Sequence, residues 1–99
     1  MGEADADSSM DKRSVYIVRC ADGSRYTGIT KDVDRRLEQH NAGTASRYTR
    51  SRLPVTLAYH EEPTTKGMAL KRELAVKSLS RKAKEALIQS VKPSFIIQR

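Results

Sequence analysis

The chain has no tryptophan and only five aromatic residues, four Tyr and one Phe, in 99 residues. Its core must therefore rest on aliphatic side chains, and broad stacking surfaces are scarce. A single cysteine, Cys20, excludes an internal disulfide framework and a cysteine-built zinc site, and points to a reducing cytoplasm. With no histidine near it in sequence, Cys20 reads as a small buried hydrophobe rather than a nucleophile. Apolar runs are a few residues long, far short of the roughly 20 that cross a bilayer, so no membrane association is expected. The first residues are acidic and carry no apolar stretch, unlike a secretory signal. Walker A, GxGxxG and HExxH motifs are all absent, as is a nucleophile elbow. Neither His40 nor His60 has a second ligand at metal spacing. No small-molecule cofactor is implied.

What is abundant is positive charge, and it is unevenly placed. Residues 1–11 hold Glu3, Asp5, Asp7 and Asp11 with no basic residue, so the remainder sets all 19 Lys and Arg against eight acids, a net +11. An excess of this size on a small domain attracts polyanions, of which nucleic acid is the commonest in a cytoplasm.

The length allows one domain. Residues 1–12 are small, acidic and poor in apolar groups, the composition of a disordered tail. SVYIVRC and RYTGIT are β-branched runs separated by Asp22-Gly23, the signature of a hairpin. Asp32 is placed to cap a helix running to about Asn41, with Val33 and Leu37 on its buried stripe and Gly43 to stop it. TASRYTRSR reads as an exposed loop whose Arg47, Arg50 and Arg52 are free to meet phosphates. VTLAYH alternates Val55, Leu57 and Tyr59 with polar or small residues, predicting a half-buried strand. Pro63 to Thr65 mark a turn and a helix start. Met68, Ala69, Leu70, Leu74, Ala75 and Val76 recur at helical spacing over 66–78, and Ser80 can cap a last helix burying Ala83, Leu87 and Ile88. Residues 91–99 read as a C-terminal tail or an edge segment packing Phe95 and Ile96. The order β-β-α-β-α-α predicts an α+β fold, a small three-stranded, mostly antiparallel sheet flanked by helices.

Tyr16 and Tyr26 fall on the two arms of the hairpin, which lie about 5 Å apart, and Arg35, Arg36 and His40 fall on the next helix. Taken singly, each has an ordinary role. The tyrosines suit a strand surface, Arg36 flanks a buried stripe, His40 suits a helix C-terminus, and Glu73 stands four residues before Lys77 in ion-pair orientation. Gly28, inside a strand, marks a bulge or a close approach.

In that order the same residues resemble the GIY-YIG nucleases. Ser14-Val15-Tyr16 is similar to the first signature triplet, with Ser for Gly, and Tyr26-Thr27-Gly28 to the second, with Thr for Ile. The stretch YTGITKDVDRRLEQHNAG is similar to the small single-domain bacterial subfamily called YhbQ-like and to the Slx-type structure-selective endonucleases. The resemblance spans about residues 13–90. It places the family's essential arginine at Arg36, its histidine at His40, and its metal-binding glutamate at Glu73. It implies a DNA endonuclease dependent on Mg²⁺ or Mn²⁺, with Arg35, Arg47, Arg50 and Arg52 meeting nucleic acid and the base role open between the tyrosines. A structure-selective task in repair or recombination is one expectation. A non-cleaving nucleic-acid-binding module, or an interaction domain for a larger repair complex, is the alternative on the same scaffold.

Overall fold

The computed structural model describes residues 11–90. β1 (Ser14–Arg19) and β2 (Arg25–Thr30) form an antiparallel hairpin, with β3 (Thr56–His60) antiparallel on the other side of β1, giving the order β2-β1-β3. Four helices complete the described residues: α1 (Val33–Asn41), a single turn α2 (Arg47–Arg50), α3 (Lys66–Lys77) and α4 (Arg81–Gln89). The α+β class and the three-stranded sheet are those read from the sequence. Residues 91–99, expected as a tail or edge segment, lie outside the described residues, as do residues 1–10.

Local signals fix most boundaries. The hairpin turns at Gly23, whose φ of 87° suits a residue without Cβ, while Asp22 Oδ1 accepts from the Ser24 backbone and hydroxyl. Asp32, Thr65 and Ser80 each accept a backbone N–H of the following first turn, so three helices start where the capping residues predict. Gly43 follows α1 with φ 81°.

The sheet carries a core on each face. Val15 and Ile17 pack with Ala69, Val76 and Ile88 of α3 and α4 on one side. Tyr16, Val18, Cys20 and Val55 pack on the other, joined by Tyr26, Leu37 and Leu57. Full burial of a side chain such as Ile17 or Ile88 contributes about 1.5–3 kcal/mol. Glu85 of α4 anchors the turn end of the hairpin by pairing with both Arg19 and Arg25.

Four sequence expectations are corrected. The 44–52 stretch is not a loop throughout: Ser46 accepts from the Thr49 backbone N–H and caps α2, and Thr49 is wholly buried. β3 does not alternate through its length, because Ile17 pairs with Tyr59 and Val18 with Leu57, leaving Ala58 as a bulge. Leu57 and Tyr59 consequently join opposite cores. Val55 falls just outside β3, its N–H and C=O both taken by the Asn41 side chain at 2.8 and 3.0 Å. In α3 only Ala69 and Val76 are buried, whereas Met68, Leu70 and Leu74 are exposed at 56, 41 and 66%. The helix docks through the face between Ala69 and Val76, which includes Glu73. Beside that face Arg72 pairs with Glu61 at 2.7 Å, while Glu61 accepts from the Tyr59 hydroxyl at 2.6 Å.

Tyr16 pairs with Gly28 across the hairpin, and its ring lies on that glycine. A Cβ at position 28 would stand 2.7 Å from the Tyr16 hydroxyl and 2.9 Å from Cζ. Gly28→Ala is therefore expected to destabilise the domain by about 1–3 kcal/mol, read as a lowered midpoint in urea. Gly67→Ala, with nothing within 4 Å of its Cβ on exposed α3, should be neutral or stabilising. Equal midpoints for the two variants would refute the close approach.

The pairing with Arg25 above all, then with Gln89 and Arg19, holds Glu85 down at about 2, well under its ordinary 4.5. A depressed carboxylate stabilises the fold above its unfolded pKa and loses that contribution as pH falls toward the folded value. Wild-type stability should thus decline between about pH 4.5 and pH 2 more steeply than that of Glu85→Gln, in parallel acid titrations followed by circular dichroism.

Candidate active site

The hairpin brings Tyr16 and Tyr26 to the same face, since Tyr16 pairs with Gly28 and Val18 with Tyr26. α1 crosses that face and delivers His40, which is 1% exposed although it is polar. The Tyr16 hydroxyl is 2.8 Å from His40 Nε2, and His40 Nδ1 is 2.8 Å from Thr49 Oγ1. Thr49 Oγ1 in turn lies 3.4 Å from the Ser46 carbonyl oxygen. One assignment of protons gives every donor an acceptor: Tyr16 O–H donates to Nε2, Nδ1–H to Thr49, and the Thr49 hydroxyl to the Ser46 carbonyl.

Aromatic contacts pack this chain from the side. The Tyr16 and Tyr26 rings both meet the His40 ring edge-on, at centroid distances of 5.7 and 5.2 Å. Tyr26 also stacks on Tyr48 at 6.0 Å, and the Arg52 guanidinium lies 3.9 Å over the Tyr48 ring.

The electrostatics follow from burial. Loss of water pushes the Tyr16 hydroxyl up to about 12, with the nearby Tyr26 and the Glu73 carboxylate adding to the rise and the charge of Arg36 opposing it. Burial first, and then the Arg36 charge, holds His40 below the ordinary imidazole value of 6.5. The imidazole is thus neutral at pH 7, as the hydrogen-bond chain requires. Arg36 and Glu73, from two different helices, both act on the one buried hydroxyl.

The remaining sequence candidates divide into two groups. Arg35, Arg47 and Arg50 are exposed and in no ion pair among the described residues. Arg52, expected to be free for phosphate, is instead committed: it pairs with Asp22 at 3.0 Å, donates to the Tyr48 carbonyl at 2.7 Å and covers the Tyr48 ring. Glu73 pairs with Lys77 at 3.1 Å, with its side chain 15% exposed against 50% for the lysine.

Thr49 and Tyr48 escaped the sequence reading. Their signal was present, for Ser46 three residues before Thr49 is the spacing of an N-cap, and a capped turn would have placed Thr49 inward. That it meets His40 is a tertiary fact with no local cue.

Comparison with known proteins agrees with this geometry. Residues 12–86 match the family model described as the GIY-YIG catalytic domain. A UPF0213 protein of Staphylococcus epidermidis is 52% identical over 80 residues, covering 81% of this chain and 98% of its own. A UPF0213 protein of Staphylococcus aureus is 51% identical over the same length and coverage. The solution NMR structure of a UPF0213 protein from Bacillus halodurans superposes with a TM-score of 0.55 at 42% identity, covering 85% of this chain and 89% of that one. A second solution structure, of a protein from E. faecalis, gives 0.55 at 40% identity, over 80% of this chain and 84% of that one. The match over residues 12–86, together with relatives half identical and covered almost end to end, shows that the chain belongs to the GIY-YIG family.

Proposed function

We propose that this protein is a metal-dependent endonuclease that hydrolyses phosphodiester bonds in DNA. The observation that carries this reading is the buried Tyr16 hydroxyl, hydrogen-bonded to a neutral His40 and acted on by both Arg36 and Glu73. Hydrolysis needs a deprotonated water, a cation against the charge that develops on phosphorus oxygens, and help for the leaving oxygen. Tyr16 is protonated at neutral pH, so it serves as a base only by handing its proton on as it receives one. His40 Nε2 is placed to take it, and the bond from Nδ1 to Thr49 holds the ring in the accepting tautomer. The proton moves from water to Tyr16 oxygen as the Tyr16 proton moves to His40, leaving a hydroxide to attack phosphorus and an imidazolium beside it.

Arg36 suits the phosphate, because its planar fork donates two parallel hydrogen bonds and keeps its charge throughout. Tyr26 packs against His40 and stacks on Tyr48, and its hydroxyl is the second group able to meet the attacking water. Among the described residues no cluster of three or more His, Cys, Asp or Glu could enclose a cation. The donor set still fits Mg²⁺, which keeps several waters and takes few protein ligands, so a single sheltered carboxylate at Glu73 can hold it once Lys77 swings into solvent. A bound Mg²⁺ or Mn²⁺ supplies charge to the phosphate and to the leaving oxygen. The Glu73–Lys77 pair is what favours the other reading, a module that binds DNA without cutting it, because there the lysine would keep its partner.

Incubation with labelled duplex, single-stranded, flap and four-way DNA separates the two. Nicking is expected with Mg²⁺ or Mn²⁺ and should vanish with chelator. Tyr16→Phe, Arg36→Ala and Glu73→Gln should each lower the nicking rate by about 10² or more, with folding retained by circular dichroism. Affinity measured in chelator should survive Glu73→Gln and weaken for Arg36→Ala. Retention of nicking within about twofold in Glu73→Gln would reduce Glu73 to a surface partner of Lys77 and end the metal assignment.

Arg47 and Arg50 are the α2 cations open to a DNA backbone. If both neutralise phosphates, replacing the pair with Ala should flatten the slope of log affinity against log salt by about 1.8 on duplex DNA. Arg52→Ala should instead lower stability and leave the slope nearly unchanged, because its guanidinium already serves Asp22 and Tyr48. A slope insensitive to the double substitution would move the binding surface away from α2.

A further inference from the structure

Arg13, Lys31, Arg35 and Arg36 line one cleft of about 290 Å³, together with Asp32 and Ile29. These four cations come from three separate places, the entry to β1, the β2–α1 turn and α1 itself. Arg36 belongs both to this cleft and to the surroundings of the Tyr16 hydroxyl, so the cleft opens toward the candidate active site. Arg13 is held there by its backbone, which exchanges hydrogen bonds of 2.7 and 2.8 Å with Thr64. Its side chain carries none of that pairing. Instead Arg13 Nε and Nη2 donate to Asp11 Oδ1 at 3.1 and 2.9 Å, and Lys31 Nζ approaches the same oxygen at 3.1 Å. One anionic oxygen bridged by a guanidinium fork and an ammonium is the arrangement a phosphate oxygen would also satisfy. The carboxylate that lines the cleft, Asp32, is turned to α1, where it accepts from the Arg35 backbone N–H at 3.1 Å.

We propose that this cleft is a second phosphate site, taking a backbone phosphate that neighbours the one at Arg36, and that Asp11, which pairs with two of its cations, is displaced from them when nucleic acid binds. The inference rests on the nucleic-acid reading above. The Asp11 carboxylate and a phosphodiester carry the same single charge, so the exchange conserves the pairing of Arg13 and Lys31. Asp11 is an intramolecular competitor. An ion pair with one partner as exposed as Lys31, at 63%, shifts an equilibrium by no more than about fivefold. Displacement is therefore easy for a polyanion and the brake is mild.

The test is binding of a short labelled DNA duplex in chelator, where no cleavage intervenes, by fluorescence anisotropy across a salt series. Asp11→Asn is expected to bind about two- to fivefold more tightly than wild type and with a steeper salt dependence, since two cations no longer hold an internal anion. Glu62→Gln makes the same change of charge at an exposed position outside the cleft and should stay within about 1.5-fold of wild type. Arg13→Ala, and Lys31→Ala in the exposed turn should the first prove unstable, should weaken binding and abolish the gain from Asp11→Asn in the double variant. The proposal fails if wild type binds and Arg36→Ala weakens it while Asp11→Asn and Arg13→Ala stay at the wild-type value; DNA then passes elsewhere and the nuclease reading stands. It fails equally if Glu62→Gln tightens binding as much as Asp11→Asn, which would reduce the effect to net charge. Absence of DNA binding in every form removes both readings.

Discussion

The hydrogen bond between Tyr16 and His40 is the constraint around which the rest is arranged. A tyrosine hydroxyl at 2% residue exposure needs a partner, because an unpaired buried hydroxyl costs about 1–3 kcal/mol. His40 meets that need at 2.8 Å, and then itself requires a partner for its second nitrogen. Thr49 provides it, and the requirement accounts for the otherwise minimal α2, a single capped turn whose one buried residue is Thr49. The same bond explains Gly28: the Tyr16 ring crosses its cross-strand neighbour to reach His40, and only a residue without Cβ leaves room. Strand register, a glycine, a helix and a helical turn thus answer to one pair of atoms.

The behaviour of α3 follows from a competing demand. Packed for burial alone, the helix would turn Leu70 and Leu74 toward the sheet, yet both are largely exposed. In the rotation observed, Arg72 pairs with Glu61, which accepts from the Tyr59 hydroxyl, and the sheltered residues are Ala69, Glu73 and Val76. Leaving two leucines in water forgoes a few kcal/mol by the usual area scale. The rotation also shelters the Glu73 carboxylate, whose charge adds to the rise of the Tyr16 hydroxyl. A fold optimised only for stability would not make that choice, whereas local conflict of this kind is expected at functional positions.

These two features also mark where sequence reasoning ends. Asp32, Ser80, Gly23 and Gly43 act on their immediate neighbours, so their effects on boundaries were legible. Tyr16, Tyr26, Arg36, His40 and Glu73 were legible through the resemblance, as an ordered set rather than from any one of them. The bulge at Ala58 was not, since the alternation in VTLAYH continues across it while the strand's facing switches. Leu70 and Leu74 misled because amphipathic spacing reports which residues could be buried, not which of two neighbouring faces meets the sheet. Arg52 misled likewise, its partner Asp22 lying thirty residues away in the hairpin turn.

Charge shows the same separation between composition and placement. A net +11 after residue 11 suggests a diffuse positive surface, but the structure divides it by task. Arg19, Arg25, Arg52 and Arg72 hold elements together through Glu85, Asp22 and Glu61. Arg35, Arg36, Arg47 and Arg50 are in no ion pair among the described residues, and all four sit on α1 and α2, the two helices that meet at His40 and Thr49. Lys66, Lys71, Arg81, Lys82 and Lys84 of α3 and α4 are likewise in no ion pair among the described residues, so unpaired cations lie on all four helices, and the α1 and α2 set is the one carried by the elements that position the buried hydroxyl. On the proposed nuclease reading, the α1 and α2 set would draw a phosphate backbone toward Tyr16. On the same reading, the step from attraction to chemistry would depend on Arg36, which lines the cleft beside Lys31 and whose charge opposes the rise of the Tyr16 hydroxyl.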